Sequence, residues 1–163
     1  MLHGFDKGDV MNIRKYEKND ASKVLSWFDT KEEFELWEAE RFKKYPITAR
    51  ELNAYYEKEN VDAYTFIFEG ALAGHFAIKF LNKKIARLFL IVLDKSIRGK
   101  GLGKKMVVEG MKLAKSMGAE EVSICVFDQN EGAVGCYKSL GFEYSGYEEE
   151  YAIGKYREMK KSV

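Results

Sequence analysis

Residues 88–105 read LFLIVLDKSIRGKGLGKK. Six apolar residues, Leu88 to Leu93, run without interruption, which suits a strand buried on both faces rather than an amphipathic edge. The chain then turns polar. Asp94 to Ile97 make a short connection, and Arg98-Gly99-Lys100-Gly101-Leu102-Gly103 sets three glycines just ahead of a helical pattern that starts at Leu102. With side chains nearly absent, backbone N–H groups can approach an anion closely, and the opening helix adds its unpaired donors and positive dipole end. Arg98, Lys100, Lys104 and Lys105 surround the turn with charge. The segment is built as a phosphate cradle.

Spacing decides between cradles. A P-loop needs Ser or Thr after its Gly-Lys, and Gly103-Lys104 is followed by Lys105, so the magnesium-binding hydroxyl is missing. A dinucleotide fingerprint needs Gly-x-Gly-x-x-Gly, whereas Gly101-x-Gly103 continues into Lys104, Lys105 and Met106. The pattern that fits is Arg/Gln-x-x-Gly-x-Gly/Ala, and here the sequence resembles the GNAT superfamily of acetyl-coenzyme A dependent N-acetyltransferases. The resemblance implies that this segment wraps the pyrophosphate of coenzyme A. A glycine-rich strand-to-helix turn with solvated lysines is the other reading of the segment taken alone.

At 163 residues the chain reads as a single domain over residues 1–163, with an ordered core over about 10–161, and is long enough to bury about two thirds of its unfolded surface. A formal net charge of +1 supplies no global field favouring nucleic acid or anionic membrane, so local charge must carry any anion binding. Only Cys125 and Cys136 occur, both inside apolar patterns. That excludes a disulfide framework or structural zinc site, suits a cytoplasmic setting, and leaves no metal expected. His3-Gly4-Phe5-Asp6 is polar where the apolar core of a signal peptide would begin, and no run is long enough to span a membrane.

Residues 1–9 read as a loose leader and Val10–Lys15 as a first strand. Asn19 or Asp20 caps a helix with Ala21, Val24, Leu25 and Phe28 on one face. Two capping boxes follow, Thr30 to Glu33 ahead of Phe34 and Trp37, and Thr48 to Glu51 ahead of Leu52, Tyr55 and Tyr56. Trp27, Trp37, Tyr45 and Tyr55 either line an acceptor pocket or fill a core. Glu32, Glu33, Glu35, Glu38 and Glu40 either steer a cationic amine or form a solvated face. Tyr64–Glu69, Leu72–Leu81 and Ile85–Leu93 read as an antiparallel meander turning at Gly70 and Asn82. A helix over Leu102–Met117 carries Leu102, Met106, Leu113 and Met117 on one stripe and stops at Gly118. Glu121–Phe127 is a strand, Asn130–Leu140 a short helix, and Phe142–Ile153 with Tyr156–Lys161 a terminal hairpin. This order describes an α/β sandwich with a mixed central sheet, and the resemblance implies the GNAT fold of about seven strands and four to five helices.

A second segment makes the resemblance specific. Residues 130–142, NEGAVGCYKSLGF, resemble the family pattern Asn-x-x-Ala-x-x-x-Tyr-x-x-x-Gly-Phe through Asn130, Ala133, Tyr137, Gly141 and Phe142. Asn130 and Tyr137 lie two helical turns apart on one face, with small Ala133 between them leaving room for a ligand arm. By resemblance, the backbone of Ile91, Val92 and Leu93 pairs with the pantetheine arm and polarises the thioester carbonyl. By the same resemblance, Arg98, Gly99, Lys100, Gly101, Leu102, Gly103 and Lys104 hold the pyrophosphate and Asn130 contacts the arm. Tyr137 then serves as catalytic acid: a phenol of pKa near 10 stays protonated beside a leaving thiol of pKa about 8.5.

The general base departs from the family pattern. Positions where relatives carry a glutamate hold Cys125 and Arg87, a poor base and a group that cannot be one. Glu69, His75, the run Glu148-Glu149-Glu150 and an ordered water remain candidates. The expected activity is acetyl transfer from acetyl-CoA to a primary amine of a small molecule or protein. The alternative is a non-catalytic acyl-CoA sensor of the same fold, and a longer-chain or oxygen-directed acyltransferase is a third reading. No nucleic acid or membrane partner is expected. The terminal hairpin, with Tyr144, Tyr147 and Tyr151, offers an edge for a homodimer.

Overall fold

The computed structural model describes residues 10–163; the leader expected over residues 1–9 lies outside the described residues. Strand β1 (Met11–Lys15) runs into a 3-10 turn (Lys18–Asp20) and the short helix α1 (Ala21–Leu25). Helices α2 (Lys31–Glu38) and α3 (Ala49–Glu59) start at the two expected capping boxes. Thr30 and Thr48 each accept the backbone N–H of a glutamate three residues on, and Glu33 and Glu51 return the bond. The meander β2 (Asp62–Phe68), β3 (Ala71–Phe80) and β4 (Ile85–Leu93) is antiparallel throughout. Then come α4 (Leu102–Ser116), β5 (Glu121–Phe127), α5 (Glu131–Ser139) and the hairpin β6 (Glu143–Tyr151) with β7 (Gly154–Ser162). These strands form one mixed seven-stranded sheet ordered β1-β2-β3-β4-β5-β7-β6, in which β4 and β5 are the parallel pair.

Both faces of the sheet are covered. Val24, Phe34, Trp37, Leu52 and Tyr56 from α1 to α3 pack on Ala77, Phe89 and Val92. On the opposite face Leu102, Met106, Ala114 and Tyr137 from α4 and α5 pack on Phe76, Leu88, Val122 and Ile124. This double cover is why β4 is apolar without alternation. Phe34, Leu52, Tyr56 and Trp27 are thus core residues, and Trp37, buried with them, also lines the cavity between β4 and β5.

Three local readings change. The buried stripe of α4 is Leu102, Met106, Val107, Gly110 and Ala114, while Leu113 is half-buried and Met117 exposed. Gly110 brings α4 close to the sheet: a Cβ there would sit 2.7 Å from Leu88 Cδ2 and 3.3 Å from Phe76 Cε2. Gly110→Val should therefore cost about 2 kcal/mol through overpacking, read as a lower urea midpoint at unchanged slope. Asp20 holds the N-cap position of α1 as expected, but its side chain makes no cap bond there. Its buried carboxylate accepts both Arg14 guanidinium nitrogens at 2.9 Å, Thr65 Oγ1 at 2.8 Å and the Glu17 N–H at 2.8 Å. A desolvated charge needs that many donors. Glu38 is also buried rather than on a solvated face, and its Oε1 accepts the Phe42 N–H at 2.6 Å.

Candidate functional site

The site begins where two parallel strands part. β4 and β5 pair only at Ile85–Arg87 with Glu121–Ser123; beyond that register β5 stays paired with β7, and β4 continues with β3. The sheet opens as a wedge. Leu90 sits at the wedge with φ +52°, and the β3–β4 register shifts there between His75 and Ala77. Phe89 and Leu90 consequently join the same core, and the alternation resumes out of phase at Ile91. A left-handed leucine is strained by about 1–2 kcal/mol, and here it re-aims the backbone of Ile91 to Leu93 along the wedge.

A cavity of about 640 Å³ occupies the wedge. It gathers residues from both motifs: Ile91, Val92 and Leu93 of β4, Arg98, Gly99, Gly101, Gly103 and Lys104 of the glycine-rich turn, and Asn130 and Tyr137 of α5. Lys100 lies exposed on the same turn, and Leu102 turns into the core, so neither lines the cavity. At the turn Gly99 and Gly101 both have φ +80° with open space where a Cβ would point. Gly101 is the N-cap of α4, and no side chain caps that helix. Its opening N–H groups are left for a ligand. Arg98 Nε donates to the Leu93 carbonyl at 3.0 Å, tying the turn to the end of β4. Asn130 is the N-cap of α5 but makes no side-chain cap, so its amide is not consumed locally.

Tyr137 is buried in the cavity wall against Phe142, ring centroids 6.0 Å apart. Burial raises its phenol well above the usual range, helped by the fields of Cys136 and Tyr156. It stays a proton donor at any physiological pH. Burial also raises the thiols of Cys125 and Cys136, which line the cavity as neutral groups. Arg87 is engaged elsewhere: it donates to Glu158 at 2.7 Å, and Ser123 and Ser145 donate to the same carboxylate at 2.6 and 2.7 Å. Of the sequence-level base candidates, His75 is fully buried beneath α3 and Glu69 lies beside the β2–β3 turn, both away from the cavity. Glu148, Glu149 and Glu150 sit on the exposed strand β6. The carboxylate that lines the cavity is Glu33, whose Oε1 already accepts the Asp29 and Thr30 N–H groups. Glu33 is thus both a capping-box residue and, of the five glutamates that could steer a cationic amine, the one at the cavity; nothing local in the sequence signals Tyr156 or Phe89, which also line it.

Residues 24–142 match the profile of the Acetyltransferase (GNAT) family. The chain belongs to that family. Over 80 residues it is 33% identical to an uncharacterized N-acetyltransferase of Methanocaldococcus jannaschii, covering 49% of this chain and 34% of that protein. Over 76 residues it is 29% identical to a mycothiol acetyltransferase of Saccharomonospora viridis, covering 47% of this chain and 25% of that protein. The matched stretches thus span a quarter to a third of those relatives' lengths. A spermidine N-acetyltransferase of Vibrio cholerae, solved with CoA and spermine, superposes with a TM-score of 0.78 at 16% identity over 93% of this chain and 95% of that one. This likeness shows the fold. Among the described residues no helix is long and apolar enough to cross a membrane, and no group of three or more His, Cys, Asp or Glu is placed to hold a metal ion.

Proposed function

We propose that this GNAT chain is an acetyl-CoA dependent N-acetyltransferase acting on a primary amine of a small molecule or protein. The observation that carries the reading is the convergence of the parted β4 edge, the uncapped N-terminus of α4 and Tyr137 on one cavity. Bound acetyl-CoA would supply the acyl group already activated as a thioester. The residues present fit it. Gly99, Gly101 and Gly103 leave the α4 N–H groups bare for a pyrophosphate; a Cβ at Gly103 would meet only Leu93 Cδ2, at 3.8 Å. Arg98, Lys100 and Lys104 add positive charge around it. The β4 edge along Ile91 to Leu93 presents backbone groups to an extended arm as a neighbouring strand would, and an N–H there would polarise the thioester carbonyl. Asn130 would contact the arm from α5.

In the transfer, the amine nitrogen forms the new bond to the acyl carbon as the carbon–sulfur bond breaks. Tyr137, raised by burial, donates its proton to the departing sulfur, and the proton shed by the acylated nitrogen passes to water and restores the phenol. The amine must arrive neutral: an ordinary lysine-like ammonium near pKa 10.4 offers about one neutral molecule in a few thousand at pH 7. Cys125 and Arg87 do not take that proton, the one held as a thiol and the other paired to Glu158. The second reading, a CoA sensor, draws on the engagement of Glu33 in the α2 cap.

Release of free thiol from acetyl-CoA across polyamines, aminoglycosides, amino acids and short peptides, against a no-acceptor blank, separates the two. Release above the blank with one amine class is the expected result. Silence across the panel while acetyl-CoA still raises the melting temperature would select the sensor. The β6 edge offered to a second copy carries Glu148, Glu149 and Glu150, which would face like charge in a symmetric edge-to-edge pair. The protein is expected to run as a monomer in gel filtration.

A further inference from the structure

On the face of the sheet covered by α1 to α3, two cations that do not themselves line the cavity flank one aromatic ring that does. The Arg41 guanidinium lies 4.8 Å and the Lys79 ammonium 5.1 Å from the centroid of Phe89, which lines the cavity from β4. Neither cation has a carboxylate within ion-pairing distance among the described residues, whereas neighbouring Arg87 is neutralised by Glu158. Arg41 Nη1 donates to the Glu38 carbonyl at 3.2 Å, and the Tyr55 and Tyr156 hydroxyls lie beside it, of which Tyr156 lines the cavity. Lys79 is half-buried; burial, then the fields of Arg41 and Arg87, hold its ammonium below its usual range, and Glu59 relieves it only from a distance.

Two like charges brought to one buried ring destabilise each other, and a cation–π contact recovers only part of that. The turn that carries Arg41 is strained. Ala39, Glu40 and Lys43 all adopt left-handed φ, at 47°, 63° and 58°. Buried Glu38 pins this turn through the Phe42 N–H, and Glu40 accepts the Ala152 N–H at 3.2 Å across from the β6–β7 hairpin. Strain of this kind persists where surrounding contacts over-determine it and clusters at ligand sites.

We propose that the acetyl acceptor carries a carboxylate beside its amine, as an amino acid does, and that Arg41 and Lys79 hold this carboxylate at the Phe89 wall of the cavity. The inference rests on the acetyl-transfer reading for its purpose but on Arg41, Lys79 and Phe89 for its chemistry. A wholly cationic acceptor such as a polyamine would meet repulsion there. An acceptor bearing an anion replaces that repulsion with two charge-assisted contacts, and the planar guanidinium can grip a carboxylate with two parallel bonds.

Calorimetric titration of the CoA-saturated protein with free amino acids and their carboxamides tests this. The carboxamides keep the amine and side chain and remove the anion. At least one amino acid should bind tenfold or more tighter than its carboxamide, and Arg41→Met should collapse that ratio toward one. Arg41→Lys should keep part of it, and Lys79→Met serves as an independent variant should Arg41→Met fail to fold. The proposal is overturned if no amino acid binds, if carboxamides or polyamines bind as tightly, or if the ratio survives both methionine variants. A preserved ratio with no thiol release would instead overturn acetyl transfer while leaving the carboxylate site standing.

Discussion

Tyr137→Phe should lower kcat about 100-fold while leaving the dissociation constant for acetyl-CoA within about threefold of the parent. The phenol sits in the wall of the wedge, protonated because burial disfavours its anion, while a thiolate leaving an acyl carbon needs a proton from a weak acid close by. Phenylalanine removes only the hydroxyl. The ring keeps its place against Phe142, so the cavity wall survives and a fall in turnover reports lost proton donation, about 2.7 kcal/mol at the barrier. Stopped-flow or steady-state thiol release gives kcat, and equilibrium titration with acetyl-CoA gives the affinity. An unchanged kcat would remove Tyr137 from the acid role. A loss confined to affinity would make it a wall residue.

Both matched segments were legible for the same reason: each carries its chemistry within a few consecutive residues. Gly99, Gly101 and Gly103 report backbone φ and absent side chains directly in their identity. Asn130, Ala133 and Tyr137 report one helix face by their spacing, and all three line the cavity. The unbroken run of Leu88 to Leu93 likewise reported burial on two faces. What stayed hidden depends on partners distant in sequence. The left-handed turn of Leu90 has no residue-level signature, because leucine is there in spite of the strain. Nothing in the residues around Arg41 marks it. Its position over Phe89 follows from the turn after α2 and from the register of β4, neither of which is written near residue 41. Asp20 and Glu38 failed in the opposite direction. Their local context reads as cap and solvated face, and tertiary packing buried both with enough donors to keep them. Cys125 and Arg87 show the same limit at the site, since only the fold reveals Arg87 committed to Glu158.

The fold should also lose stability steeply between pH 6.5 and pH 4, and His75 is the reason. It sits on β3 fully buried, with Nε2 2.5 Å from the Tyr56 hydroxyl and its ring 5.1 Å from that of Tyr16. Burial disfavours the imidazolium, a Tyr64 backbone bond and the Asp20 field offset this only partly, and the pKa falls to about 4. In the unfolded chain the same ring titrates near 6.5. The folded value is the depressed one, so the unfolded state binds the proton first. The stability His75 contributes is complete above pH 6.5 and is lost at about 1.4 kcal/mol per pH unit below it, about 3 kcal/mol by pH 4. Asp20 and Glu158 do not blur this window. In each, burial alone would raise the carboxyl, but bonds from Arg14, the Glu17 N–H and Thr65 in the one and from Ser123, Ser145 and Arg87 in the other hold it below the ordinary range. Their contributions are therefore intact until the pH nears 4. His75→Gln can still meet the Tyr56 hydroxyl but has no proton to take up. Its urea stability should start lower at pH 7 and run flat from pH 6.5 to 4.5, while the parent falls. A parent profile as flat as that of His75→Gln would show that His75 is not the group taking up the proton as the chain unfolds.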